Sequence, residues 1–199
     1  RTGNKMKKKG WIIVAVVVIV LCLGACSSYN GMVNKQEAAT TAFSNVEAAC
    51  QRRADLLPNL AKTVKAYAKH ENETFKEVAE ARSAASQIKI DPENLTPEKI
   101  AQFQKAQGDI TTALGKLMAI SESYPELKAS KNFEDLQAQI EGSENRINYA
   151  RENYNTAVQE YNQSVRRFPN VIFANMFGFD RMTKFEADKA AEKAPELDI

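Results

Sequence analysis

From Phe133 to Phe168 the chain places apolar or small residues in alternating steps of three and four without a break: Phe133, Leu136, Ile140, Ser143, Ile147, Ala150, Tyr154, Ala157, Tyr161, Ser164 and Phe168. This spacing predicts a long α-helix with one narrow buried seam, because a strand would repeat every second residue. A helix of this length extends ~54 Å and can cover its seam only against partner helices of similar length. Large and small residues alternate in its later part, so neighbours approach at Ala and Ser while Tyr and Ile fill the space between. The dipeptides Tyr154-Asn155 and Tyr161-Asn162 can form a binding face. The plainer expectation is buried tyrosines whose hydroxyls reach the bundle edge, with the amides bonding to the next helix.

The first half of the chain has the same period, from Phe43, Val46, Cys50, Arg53, Leu57, Leu60, Val64 and Tyr67 through Glu71, Thr74, Val78, Ala81, Ala85 and Ile88. Pro58 falls inside this run. A mid-helix proline costs ~3 kcal/mol and by default breaks the helix. The unchanged phase across Pro58 predicts instead a kinked, nearly continuous helix from about Asn34 to Ile88. Asp91 to Glu98 then has the chemistry of a loop and a helix start, with Thr96 as N-cap, Pro97 at the first helical position and Glu98 facing the positive end of the dipole. That helix continues through Ile100, Phe103, Ile110, Leu114, Leu117 and Ile120 until Tyr124-Pro125 disfavours α geometry. Glycine is scarce, occurring between Tyr29 and Phe168 only at 31, 108, 115 and 142. The expected fold is therefore all-α, an elongated up-and-down bundle of three long helices with a short C-terminal helical segment.

At the other end, Met6-Lys7-Lys8-Lys9 leads into the apolar run Trp11 to Ala25 and then Leu23-Gly24-Ala25-Cys26-Ser27-Ser28. Arg1 to Lys5 precede the first plausible initiator and are set aside as a cloning remnant or an upstream extension. Basic, apolar and small-residue parts in this order are those of an export signal or membrane anchor. Trp11 to Cys26 spans only ~24 Å as a helix, short of a ~30 Å hydrocarbon core, although extension through Asn30 adds reach. Two readings stay open: a lipobox in which Cys26 is acylated, and an uncleaved transmembrane helix. Either one places the rest of the chain outside the cytoplasm, because Lys5, Lys7, Lys8 and Lys9 favour the inner face. The expected organisation is residues 1–28 as anchor, 29–185 as bundle and 186–199 as a mobile tail.

Five of the 27 basic residues and none of the 25 acidic ones lie in the first 26 positions, which leaves 22 against 25 and a net charge of −3 beyond them. With its bases interleaved among acids, the body lacks the positive patch that nucleic-acid binding requires. No disulfide framework is expected, since Cys22 and Cys26 lie in the apolar run and only Cys50 lies in the body, at an apolar helical position. His70 is the single histidine, and neither a metal-ligand set, a nucleophile elbow nor a phosphate-binding loop is recognisable. No cofactor or metal is expected.

Arg53 and Glu71 fall on core-phase positions, and Asp55 follows within the same turn as Arg53. A buried arginine needs acidic or carbonyl partners, so Arg53, Asp55 and Glu71 are candidates for a buried ion-pair layer that fixes helix register. A ligand clamp at the Pro58 kink is the sharper alternative. The stretch Phe168 to Phe179 is apolar and aromatic, with no Lys or Arg inside it. Val171, Ile172, Phe173, Met176, Phe177 and Phe179 must be covered by something: the bundle end itself, a lipid interface, or a neighbouring subunit.

Several motifs in one order carry a specific likeness. Arg52-Arg53-Ala54-Asp55-Leu56-Leu57-Pro58-Asn59-Leu60 and Val64-Lys65-Ala66-Tyr67-Ala68-Lys69-His70-Glu71 open the series. Ala81-Arg82, Ser123 to Ala129, Asn132-Phe133, Leu136-Gln137 and Glu141 to Ile147 continue it, and Ala150-Arg151, Tyr154-Asn155, Tyr161-Asn162 and Phe168-Pro169 complete it. Together they resemble the signature of LemA family proteins, over residues 29 to 185. The resemblance implies an N-terminal membrane anchor followed by an elongated helical bundle in bacteria, and it brings no established catalytic residues. The lipobox-like Cys26 departs from the plainer transmembrane anchor typical of that family. The expected function is a non-enzymatic envelope scaffold that contacts membrane lipid and forms a homo-oligomer. The alternatives are a monomeric adaptor for an unknown protein partner, such as a protease or signalling receptor, and a receptor or enzyme using Arg53 and Glu71.

Overall fold

A computed structural model describes residues 3–92 and 94–185; the expected tail, 186–199, lies outside them. The fold is all-α, with helices α1 (Gly3–Tyr67), α2 (Asn72–Gln87), α3 (Pro97–Glu122), α4 (Pro125–Lys128), α5 (Lys131–Arg166) and α6 (Asn170–Phe177). The three long helices are α1, α3 and α5. The seam of α5 reads directly into burial, since Phe133, Ile147, Tyr154 and Tyr161 are almost fully enclosed.

Two compact units divide the chain. Of the described residues, unit 1 comprises 3–39 and 157–182, and unit 2 comprises 40–92, 94–156 and 183–185. In unit 2 the core gathers Leu57, Leu60 and Val64 of α1, Val78 of α2, Ile110, Leu114 and Leu117 of α3, Leu127 of α4 and Phe133 of α5. Unit 1 has a smaller core, in which Met32 of α1 meets Tyr161 and Val165 of α5 and Ala174 of α6.

Helix α1 passes through Pro58 without interruption, as the seam phase predicts, and Pro58 itself is exposed. The expected run to Ile88 is nevertheless broken, at Ala68–Glu71. The reason is tertiary. Phe75, Val78, Ala81 and Ala85 of α2 pack onto the same cluster as Leu57, Leu60 and Val64, and Lys65 Nζ lies 5.8 Å from the Phe75 ring centroid. A straight helix would have carried that apolar face away from the core. A polar turn, Lys69-His70-Glu71, folds it back instead, and equal phase on both sides reflects two helices serving one core.

The start of α3 follows its sequence chemistry. Thr96 Oγ1 accepts a hydrogen bond from Lys99 N at 3.3 Å, and Pro97 occupies the first turn. The Glu98 carboxyl is held below the usual range by hydrogen bonds from its own backbone N–H and the Thr96 hydroxyl. At the other end Tyr124 leaves helical geometry before Pro125, as expected. The link to α5 contains the one-turn helix α4, which buries Leu127.

Candidate functional site

The apolar run is helical and open to its surroundings. Between Trp11, at 77 % exposure, and Leu23, at 66 %, every large apolar side chain is more than half exposed. It belongs to one helix long and apolar enough to cross a membrane. Cys26 sits exposed on the same helix with a free thiol, as does Cys22. The helix runs through Leu23-Gly24-Ala25-Cys26 and on beyond Tyr29.

In unit 1, α6 folds back onto α1 just beyond this run. Ser28 Oγ donates to Asn170 Oδ1 at 2.9 Å, and the Tyr29 ring meets Phe177 and Phe179 edge-on at centroid distances of 5.2 and 5.4 Å. The six predicted contact residues therefore divide. Phe173 and Phe179 pack against the unit 1 core and Val171 is half-buried, whereas Ile172 and Met176 face outward and Phe177, in contact with Tyr29 on one side, stays partly exposed. Gly178 closes α6 in the left-handed region at φ 76°, a conformation that glycine adopts without a Cβ penalty.

In unit 2, Arg53 is 2 % exposed, and its guanidinium ties α1 to α3 and α5. Nη1 donates to Glu144 Oε2 at 2.6 Å and Thr111 Oγ1 at 3.1 Å, while Nη2 donates to the Gln107 carbonyl at 3.1 Å and to its Oε1 at 3.0 Å. Among the described residues its Nε finds no acceptor. The two acids named from the sequence are not the partners. Asp55 is exposed and accepts from Gln51 at 2.9 Å, because positions two apart on a helix do not share a face. Glu71 lies in the turn before α2, half-buried. Gln107 and Thr111 carried no signal in the sequence; Glu144 did, as part of the Glu141–Ile147 motif.

A hollow of about 340 Å³ lies beside Pro58, lined by Leu57, Ala61, Phe75, Val78 and Arg82. Arg53 points elsewhere, with its charge already neutralised. Cys50 is buried, and burial pushes its thiol up to about 11. His70 is exposed. Among the described residues no three His, Cys, Asp or Glu side chains converge as metal ligands.

The Tyr-Asn pairs do something the sequence left open. Their partner is the irregular backbone after α6, and not a helix. In unit 2, Tyr154 Oη donates to the Thr183 carbonyl at 2.7 Å, and Asn155 both accepts from Phe185 N and donates to its carbonyl, at 2.8 and 3.2 Å. In unit 1, Tyr161 Oη donates to the Asp180 carbonyl at 2.8 Å, and Asn162 engages both backbone groups of Met182 at 2.9 Å. Burial raises both phenols above their ordinary range, desolvation being the main cause, with the Asp180 charge adding to it at Tyr161.

A groove of about 700 Å³ in unit 2 runs between α1 and α5, lined by Ala48, Ala49, Ala138 and Gly142 with Arg52 and Arg146. A Cβ at Gly142 would meet nothing within 4 Å.

Comparison with known proteins agrees with these features. The LemA family model matches residues 42–199. Magnetosome protein MamQ 2 of Paramagnetospirillum magneticum is 27 % identical over 91 % of this chain and 73 % of its own length. Magnetosome protein MamQ of Magnetospirillum gryphiswaldense is 27 % identical over 82 % of this chain and 66 % of its own. Protein LemA of Metamycoplasma hominis is 26 % identical over 80 % and 69 %. The apolar helix and these relatives together point to membrane association.

Proposed function

Because this chain belongs to the LemA family, we propose that it works as a membrane-anchored, non-enzymatic helical scaffold of the bacterial envelope, self-associating at the membrane surface with its bundle outside the cytoplasm. One observation carries the reading: a single uninterrupted helix, α1, holds both the exposed apolar band Trp11 to Leu23 and the core residues Phe43 to Val64. The lysines at 5 and 7–9 precede the band, which supports an inner N-terminus.

A spanning anchor is favoured over acylation at Cys26, because Lys9 to Tyr29 covers ~30 Å of helix, the thickness of a hydrocarbon core. Mass spectrometry of the membrane fraction tests this. A chain retaining the residues before Cys26, with a free thiol there, supports the span; a chain beginning at an acylated Cys26 overturns it.

Self-association is supported by the groove, whose small side chains allow close approach of a second helix, and by a two-dimensional tether that raises effective concentration. The structural use of Arg53, which fixes the register of three helices, supports a scaffold over an enzyme. Cryo-EM and crosslinking in mild detergent are the test. Rings or ordered arrays that Gly142→Leu dissolves without loss of helicity support the scaffold; a monodisperse single copy favours a monomeric adaptor.

A further inference from the structure

We propose that α6 is a second membrane contact: its exposed apolar edge seats in the boundary between headgroups and acyl chains, in the leaflet from which α1 emerges. This rests on the reading of α1 as the span. Unit 1 fixes the level of α6 along α1 through the Ser28–Asn170 hydrogen bond, the Tyr29 contacts with Phe177 and Phe179, and the packing of Met32 with Ala174. With Lys9 at one face of the hydrocarbon, Tyr29 falls ~30 Å away at the other, and α6, held to Tyr29, lies at that face.

The side chains suit that depth. Ala174, Phe173 and Phe179 supply the protein-facing side. Ile172 at 55 %, Met176 at 64 % and Phe177 at 45 % remain exposed on the helix, and Phe168 at 81 % precedes it. Phe168, Ile172 and Met176 are spaced by four. Arg166, Arg167 and Arg181 are exposed and bracket the segment. Aromatic and aliphatic groups between arginines match a lipid interface, with charges at the phosphates and rings below them. Four large apolar side chains left in water would form the kind of patch that marks an interaction site. Lipid is the occupant because the patch joins, at Tyr29, a helix whose own apolar band is already exposed for lipid.

Photo-crosslinking of the full chain in vesicles of neutral and anionic phospholipid tests the proposal. The probe p-benzoylphenylalanine replaces Ile172 or Met176, with Trp11 as the span position and Tyr149, exposed in unit 2, as a water-facing reference. Lipid adducts at 172 and 176, and none at 149, are expected. Protein dimers at 172 and 176 would assign the patch to a second copy and overturn the proposal, as would absence of any adduct while Trp11 captures lipid. Lipid capture at 172 and 176 without capture at 11 would overturn the spanning reading while keeping α6 on the membrane.

Discussion

In unit 2 the large apolar side chains Phe43, Leu57, Leu60, Ile110, Leu117 and Phe133 are enclosed almost completely, whereas in unit 1 Val, Ile and Leu residues between Trp11 and Leu23 stand more than half exposed. Residues of the same chemistry thus meet opposite fates. Unit 2 is organised to exclude water, even enclosing a guanidinium whose two terminal nitrogens are met by Glu144, Gln107 and Thr111. The exposed band of unit 1 is stable only in a medium as apolar as itself.

The sharpest contrast comes from charge. Arg53→Ala strips Glu144 and Gln107 of their shared donor and should cost unit 2 roughly 3–5 kcal/mol, read as a lower urea midpoint by circular dichroism. Glu144→Ala leaves the buried guanidinium without its counter-charge and should cost a comparable amount, with only the neutral acceptors Gln107 and Thr111 still facing it. A midpoint unchanged by Arg53→Ala would mean the buried arginine does not hold unit 2 together. The converse substitution, Val17→Lys, should leave the urea midpoint of unit 2 unchanged and penalise insertion by about 2.5–3.5 kcal/mol, measured as the fraction recovered in membranes.

Pro58→Ala should raise stability by up to ~3 kcal/mol, because α1 continues through an exposed proline that removes a helix hydrogen bond. Failure to stabilise would place a helix start at Pro58. A smaller effect is expected from alkali. The buried Cys50 thiol has its folded value raised from 9.0 to about 11, and Tyr154 is raised as well. The folded state therefore holds protons that the unfolded chain releases first. Stability is fully present below about pH 9 and falls as pH rises through about 11, by about 2 kcal/mol for Cys50. Cys50→Val should flatten that part of a urea midpoint series from pH 7 to 11.

Much of this was legible because local chemistry and tertiary need coincide. The Thr96-Pro97-Glu98 start and the α5 seam are such cases. The break at Ala68–Glu71 was hidden because α2 keeps the phase of α1 while reversing direction, and periodicity records faces, not directions. The acid partner of Arg53 lies 91 residues away on another helix, which no local spacing encodes. For the Tyr-Asn pairs, the repeat was visible but its partner was not. Backbone groups at Asp180 to Phe185 satisfy Asn155 and Asn162 whatever side chains they carry, so the segment has no sequence signature beyond the buried Phe185, which stacks on Phe43.

Alkaline carbonate extraction of membranes bearing the full chain bears most directly on attachment through α1. The protein should remain in the pellet, and Val17→Lys combined with Ile19→Lys should move a still-helical chain into the supernatant. Release of the unaltered chain by carbonate, or retention of the doubly charged variant, would contradict an anchor built on the exposed band from Trp11 to Leu23.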